Sequence, residues 1–323
     1  MNKNPKLYLK HSGMTLVELM VSLVILAIVL GAIYSILNFQ QTRATQISRT
    51  TIMQTDAQVA LTLVKWDLMM TGYGYPYSKT DAIQISSGGG AVMLKAVGLG
   101  FEMNRARWSY ILQEPENQAI LLVRKWADSL ANFEDNDTLM ILDESRTRVY
   151  DNVVVSSTDT MTFIDPVTGS KTPGLILNVS IPIQGRRGAM VIRRAGNVYY
   201  GGVTYYVAND TLYRGTEPLL TNCEAIQFRY GLDQNNDGVV SAGEWGNANN
   251  PPTNVDYYRK WAARFTMVVT SEGLPGYKYP DNNVTIEANP PYNYLLSIFQ
   301  QRKKRSIMSA LVFPQNLQPP EGM

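Results

Sequence analysis

The run from Leu19 to Leu37 constrains this chain more than any other part of it. Nineteen almost wholly apolar residues, wound as a helix at about 1.5 Å per residue, reach about 28 Å, close to the hydrocarbon thickness of a bilayer. Residues 1–13 before it carry Lys3, Lys6, Lys10 and His11 and no acid. By the positive-inside rule such a flank stays cytoplasmic and the rest crosses, which places everything beyond about residue 40 in the periplasm or outside the cell. An ordinary secretory signal has an apolar region of about 7–15 residues followed by a small-x-small cleavage site. Here the stretch after Leu37 is polar, NFQQTRATQ, and the small residues Ser12 and Gly13 come before the apolar run.

Glu18 stands at the edge of that run and is wrong for a plain anchor. A carboxylate central in a spanning helix costs about 2.5–3.5 kcal/mol on insertion scales, less near the interface, and persists where it has a partner. A cut between Gly13 and Met14 would create one: the new α-amine, four residues away on the helix or supplied by a neighbouring subunit. The plainer alternative is an interfacial glutamate in a simple anchor.

Gly13 followed by MTLVELMVSLVILAIVLGAIY resembles the prepilin-type leader and N-terminal helix of type IV pilins and type II secretion pseudopilins. The resemblance implies that prepilin peptidase cuts after Gly13 and methylates Met14. It also implies that Glu18, fifth in the mature chain, neutralises the terminal amine of an adjacent subunit during assembly. Met14 stands where phenylalanine is most usual in that family, and the helix-kinking proline of major pilins is missing, since no proline occurs between Pro5 and Pro76.

Without prolines the helix is expected to continue out of the membrane. Met53, Ala57, Ala60, Val64 and Leu68 follow steps of three and four, one face of a 3.6-residue period, so the outer half should be amphipathic and packed on a sheet. Thr71-Gly72-Tyr73-Gly74-Tyr75-Pro76 then reads as its stop. Beyond residue 80 short β-branched and aromatic runs alternate with turn residues: Ala119–Val123, Thr138–Leu142, Asn152–Ser156, Thr160–Ile164, Gly174–Ile181, Met190–Arg193, Val203–Val207, Thr211–Arg214, Glu224–Tyr230, Ala263–Thr270 and a last strand after the basic cluster at 302–305. The expected class is α+β, a long N-terminal helix on a mainly antiparallel sheet domain. Its segments are a leader (1–13), the helix (14–70) and a β-rich periplasmic or extracellular domain (71–323). The acidic stretch Asn132 to Asp137 and the cluster Arg302-Lys303-Lys304-Arg305 both read as solvated.

Asp233-Gln-Asn235-Asn-Asp237-Gly238-Val239-Val-Ser241-Ala-Gly-Glu244 fills every specified place of the twelve-position calcium loop. Asp233, Asn235 and Asp237 would give side-chain oxygens, Val239 its carbonyl, Ser241 a hydroxyl or water and Glu244 two oxygens, within the six to eight that calcium takes. The flanks are not those of an EF-hand, because IQFRY before the loop reads as strand and the Asn/Pro-rich run after Trp245 cannot be helix. A lone structural calcium clip is expected, with a metal-free acidic loop as the alternative.

Catalysis finds little support. His11 lies in the leader, so the mature chain would lack the commonest general base, and Cys223 has no histidine to activate it and reads as a buried thiol. With one cysteine no intramolecular disulfide forms. Net charge is only +2, and removing the three leader lysines leaves the remainder near neutral, which argues against nucleic acid as a partner. Trp66-Asp67-Leu68, Thr71-Gly72-Tyr73, VTYYVANDTLYR at 203–214, Glu224–Tyr230 leading into the calcium-type loop and the closing basic strand resemble PilW-type minor pilins. This implies a non-enzymatic minor subunit that primes or caps a type IV pilus. Its partners would be other minor and major pilins, prepilin peptidase and the inner-membrane assembly platform. A GspJ-type minor pseudopilin of type II secretion and a membrane-anchored calcium-dependent adhesin are the rival readings.

Overall fold

The computed structural model of the chain describes residues 15–76, 81–86, 89–99, 107–143, 145–146, 149–196, 198–245, 261–271, 278–281, 283–288, 291–295 and 300–317. The leader and the Gly13–Met14 junction lie outside them. A single helix, α1 (Leu16–Met70), starts the described chain, and it is divided between two compact units at Ile52/Met53. In the first unit every large apolar side chain from Leu16 to Phe39 is exposed. The threonines that follow do not compete with the helix: the Oγ1 groups of Thr42, Thr45, Thr50 and Thr51 donate to the carbonyls four residues back at 2.8–3.0 Å.

The second unit opens with the other half of α1, whose buried stripe is Met53, Ala57, Ala60, Val64, Asp67 and Leu68. The two alanines let the helix come close to the sheets beneath it. Thr71 Oγ1 donates to the Asp67 carbonyl at 2.7 Å, and the chain then turns through Gly72 and Gly74, both at positive φ. Gly72 is required twice over, because a Cβ there would lie 2.4 Å from Leu317.

Strands follow in the order β1 (Ile83–Ile85), β2 (Ala91–Ala96), β3 (Trp108–Tyr110), β4 (Gln118–Arg124), β5 (Thr138–Leu142), β6 (Val149–Ile164), β7 (Lys171–Ile183), β8 (Met190–Arg193) and β9 (Gly201–Ala208). After them come β10 (Thr211–Arg214), β11 (Glu217–Thr221), β12 (Cys223–Leu232), β13 (Trp261–Thr270), β14 (Asn283–Ala288), β15 (Pro291–Leu295) and β16 (Arg305–Val312). Every strand pairing in the four sheets is antiparallel, so the chain has the expected α+β architecture. The sheet β1-β2-β9-β10-β11 and the sheet β12-β13-β16 share one core with the helix stripe, built around Leu94, Tyr205, Phe228, Phe265 and Leu68. Cys223 is part of this core, and burial pushes its thiol up to about 12, which leaves it inert. The hairpin β14–β15 lays Val284 and Ile286 against Val268.

β2 and β9 are neighbours in their sheet, yet strands β3 to β8 all lie between them in sequence. Those six form a sheet of their own, β3-β8-β5-β6-β7-β4, and it closes on itself. A bridge from Ile111 to Val123 joins its two outer strands, and Leu112 N–H donates to the Leu122 carbonyl at 2.8 Å. The result is a small six-stranded barrel with a filled interior in which Leu121, Leu139, Ile141, Val153, Leu177 and Val191 meet, closed by these few contacts at one end of β4. Met140 and Leu142 point the other way from Leu139 and Ile141 and are buried too, against Val97 and Ile192, so β5 is covered on both faces.

Two expectations need correction. The 132–137 segment is a loop solvated only in its middle, at Glu134, Asp135 and Asn136: at its ends Asp137 is buried and accepts from Arg193 Nε at 2.5 Å, and Asn132 bonds the backbone of Trp126 and Asp128, while the exposed Glu134 still pairs with Arg107 at 3.0 Å. Its arginines stand far away in sequence, so the reading missed them. Nor is the basic cluster solvated throughout. The side chains of Arg305 and Glu224 are each 1% exposed and form a forked pair at 2.7 and 2.8 Å, while Lys303 meets Asp210 at 2.7 Å. Asn152–Ser156 and Thr160–Ile164 are one strand, β6, whose middle carries a bulge between Val155 and Ser157.

One polar contact fixes the helix on its sheet. Asp67 is buried in α1, and its carboxylate accepts from Tyr205 Oη at 2.5 Å and from Arg214 Nε and Nη2 at 2.7 and 3.2 Å. Removing the carboxylate leaves the Tyr205 hydroxyl buried and unpaired, which costs about 1–3 kcal/mol, while Arg214, about a third exposed, can turn to water. Asp67→Ala should therefore lower the unfolding free energy of the second unit by about 1–3 kcal/mol in urea titration followed by circular dichroism. Arg214→Lys, which keeps the charge and loses the fork, should cost less.

Candidate functional site

At the N-terminal site the sequence places Thr15-Leu-Val-Glu18, a T-x-x-E pattern, at the start of α1. Glu18 Oε2 accepts from Thr15 N–H at 3.0 Å and Thr15 Oγ1 at 3.1 Å, and Glu18 N–H returns a bond to Thr15 Oγ1 at 3.3 Å. This is a reciprocal capping box, worth two of the helix's orphan donors. Sequence reasoning supplied Glu18 with a cation only and missed Thr15, although the three-residue spacing of the T-x-x-E pattern announces it. Gly13 and Met14 lie outside the described residues.

The second site is the loop after β12. A bridge from Gly231 to Trp245 closes its base, and Arg264 lies 4.1 Å over the Trp245 ring. A Cβ at 231 would sit 2.3 Å from Val240, so glycine is what lets the loop fold back on its own strand. Inside, the carboxylates hold the loop's backbone. Asp233 accepts from the N–H of Asp237 at 3.1 Å and of Gly238 at 2.8 Å; Asp237 accepts from Val239 N–H at 2.8 Å and from Asn235 Nδ2 at 2.9 Å. Glu244 Oε1 takes the N–H of Gln234 and Asn235 at 2.7 and 3.2 Å, and its Oε2 takes Ser241 N–H and Oγ at 2.8 and 3.0 Å. Ser241 and Glu244 thereby form a capping box on the turn of 3₁₀ helix at Ala242–Glu244, while Val239 is exposed. Glu244 thus reaches both ends of the loop, as the twelfth position of such a loop must. Even so, among the described residues no three His, Cys, Asp or Glu side chains converge as a metal's ligands would. The signal that the sequence carried for Gly231, Trp245 and Arg264 was weak, since a ring stacked by a cation across strands has no local spacing.

The hydrogen bond from Ser241 N–H is the largest influence that holds the Glu244 carboxyl below its ordinary range, with Gln234 and Asn235 adding to it and burial acting the other way. A lowered folded value contributes stability above the ordinary carboxylate range near 4.3, and that contribution is lost as pH falls through the lower value. Asp165, held near 2 by Arg187 and by the N–H groups of Thr168 and Val167, adds a component lost at still lower pH. The melting temperature should accordingly fall on acidification below about pH 4. Glu244→Gln should start lower at pH 7 and lose less between pH 5 and pH 3 than the parent chain; equal losses in scanning calorimetry would count against this account of the loop.

α1 is long and apolar enough to cross a membrane by length and composition and lies near the N-terminus. Residues 9–34 match the family model described as Prokaryotic N-terminal methylation motif, a stretch that includes Gly13, Met14 and Glu18. No curated protein matches the chain, and no solved structure does. The chain carries a prepilin-type N-terminus on a membrane-anchoring helix, the mark of type IV pilin-like and pseudopilin-like proteins that prepilin peptidase processes and that assemble with other pilins.

Proposed function

We propose that this chain is a minor pilin of the PilW type, a structural subunit that primes or caps a type IV pilus and performs no catalysis. The observation that carries the reading is the methylation motif at residues 9–34 joined to a helix whose apolar side chains from Leu16 to Phe39 are all exposed. An exposed apolar helix of this length is stable in lipid or among other such helices, and the passage from one to the other is what filament assembly requires. Prepilin peptidase cuts after Gly13 and methylates Met14; the N-terminus faces the cytoplasm and the domain beyond α1 faces the periplasm, then the cell surface. Glu18 is held by Thr15 in the single chain. In the filament its carboxylate meets the terminal amine of an adjacent subunit, exchanging a neutral donor for a charged one.

The large β-rich domain, with its inserted barrel, suits a subunit used once at an end better than one repeated along a shaft. A GspJ-type minor pseudopilin would share the leader and the helix, and loss of secreted enzymes with retained pili on deletion would favour it. We further propose that the loop at 233–244 takes a structural calcium ion through Asp233, Asn235, Asp237, Val239, Ser241 and Glu244. The twelve-place pattern and the reach of Glu244 to both loop ends support this. Binding would require Asp233 and Asp237 to trade backbone N–H partners for the ion. Calcium should then raise the melting temperature of the parent chain and leave Asp237→Ala unmoved.

The assembly reading is tested at the N-terminus. Mass spectrometry of the native protein should find a chain that begins at methylated Met14. Glu18→Ala should still be cut and inserted yet fail to enter filaments, at least tenfold down in sheared pilus fractions, whereas a protein that uses α1 only as an anchor would keep its function. A native chain beginning at Met1 overturns the reading.

A further inference from the structure

The outer wall of the barrel carries a groove of about 200 Å³ that the assembly reading does not use. Its floor is apolar, made by Ile120 and Leu122 of β4, Met161 of β6 and Ile176 of β7. Interior positions of these strands alternate with these outward ones, so the floor is the face that the filled barrel leaves over. Ile120 is 48% exposed and Met161 42%. One wall is the turn from Gln113 to Gln118, held tight by Gln118 N–H donating to the Pro115 carbonyl at 2.8 Å. That turn presents Glu114 and Glu116, both exposed, and neither is engaged by a cation among the described residues. Asp159 stands directly opposite Ile176 in the register of β6 and β7, which puts a third acid on the same face of the sheet. The nearby cations are committed elsewhere: Arg124 donates to Tyr110 Oη at 2.8 Å and lies over the Trp126 ring, and Arg187 holds Asp165.

Size decides what can occupy such a place. Pockets for drug-sized small molecules run to about 300–1,000 Å³, so this groove is too small for one and has the dimensions of a side chain. An apolar floor under a carboxylate rim fits a side chain with a methylene stem and a cationic head, which buries its stem and keeps its charge at the edge. Arginine is enriched at the centres of protein interfaces for this reason. We infer that the groove between the 113–118 turn and strands β4, β6 and β7 is a docking socket for a basic side chain, arginine above all, of a partner protein. The socket lies wholly in the second unit and does not depend on how the N-terminus is processed, so it stands or falls apart from the assembly reading.

The test uses the full chain in detergent and two labelled peptides, one alternating leucine with arginine and one alternating leucine with glutamate. Fluorescence anisotropy should show saturable binding of the arginine peptide, weakened by added salt, and none of the glutamate peptide. The double variant Glu114→Gln/Glu116→Gln should bind at least tenfold more weakly. Ile120→Asp, which keeps the acids and spoils the floor, should do the same, so that charge attraction alone cannot mimic the result. Glu217→Gln, on a different sheet, should bind within twofold of the parent, and all variants should melt as the parent does. Binding of both peptides alike, undiminished binding by the double variant, or no binding of the arginine peptide by about 1 mM would each overturn the socket.

Discussion

The seating of the second half of α1 on two sheets is the contact from which the rest of the second unit follows. Ala57 and Ala60 bring the helix close, Met53, Val64 and Leu68 fill the space between the sheets, and the Asp67 fork with Tyr205 and Arg214 fixes rotation and register at the far end. Apolar burial alone is indifferent to a small slide of the helix. A carboxylate that must meet three donors is not, and this is how a polar contact of modest net worth specifies one arrangement. The backbone then carries the position onward, because Gly72 N–H donates to the Lys95 carbonyl of β2 immediately past the helix end.

From that seat the chain builds two cores by different means. The first depends on the helix, which supplies one wall of it. The second, inside the barrel, is enclosed by its own strands and is inserted between two neighbouring strands of the first sheet. Both ends of the insertion therefore meet at one place, and Tyr73, Trp108, Tyr199 and Tyr200 pack around Val97, Met140, Leu142 and Ile192 there. Tyr73 and Trp108 stand edge to face at 5.4 Å, a contact that joins the helix stop to the first barrel strand.

Much of this could be read in the residues. The helix stripe was visible in its 3.6 period, and Thr138–Leu142, Met190–Arg193 and Thr211–Arg214 were bounded to the residue because turn residues flank them on both sides. The short strands were not: Trp108–Tyr110 has three residues, and Glu217–Thr221 carries Pro218 beside a register shift. Barrel closure depends on the Ile111–Val123 bridge, a contact of one pair that leaves no pattern along the chain. At the candidate sites the acids were legible and their partners were not. A buried-acid argument points Glu18 to a charge, whereas in the single chain the hydroxyl and backbone N–H of Thr15 meet the need. Asp137 and Arg305 looked wet because their partners come from other strands, Arg193 and Glu224.

The seating of α1 also governs how the domain responds to force. Tension along the helix axis meets a stripe that runs from Met53 to Leu68, about four turns, so every contact is loaded in shear at once and none is peeled singly. The Asp67 fork, near the C-terminal end of that stripe, shares this load with the apolar contacts. Without a disulfide to act as a hard stop, the mechanical resistance of the second unit resides in this parallel loading.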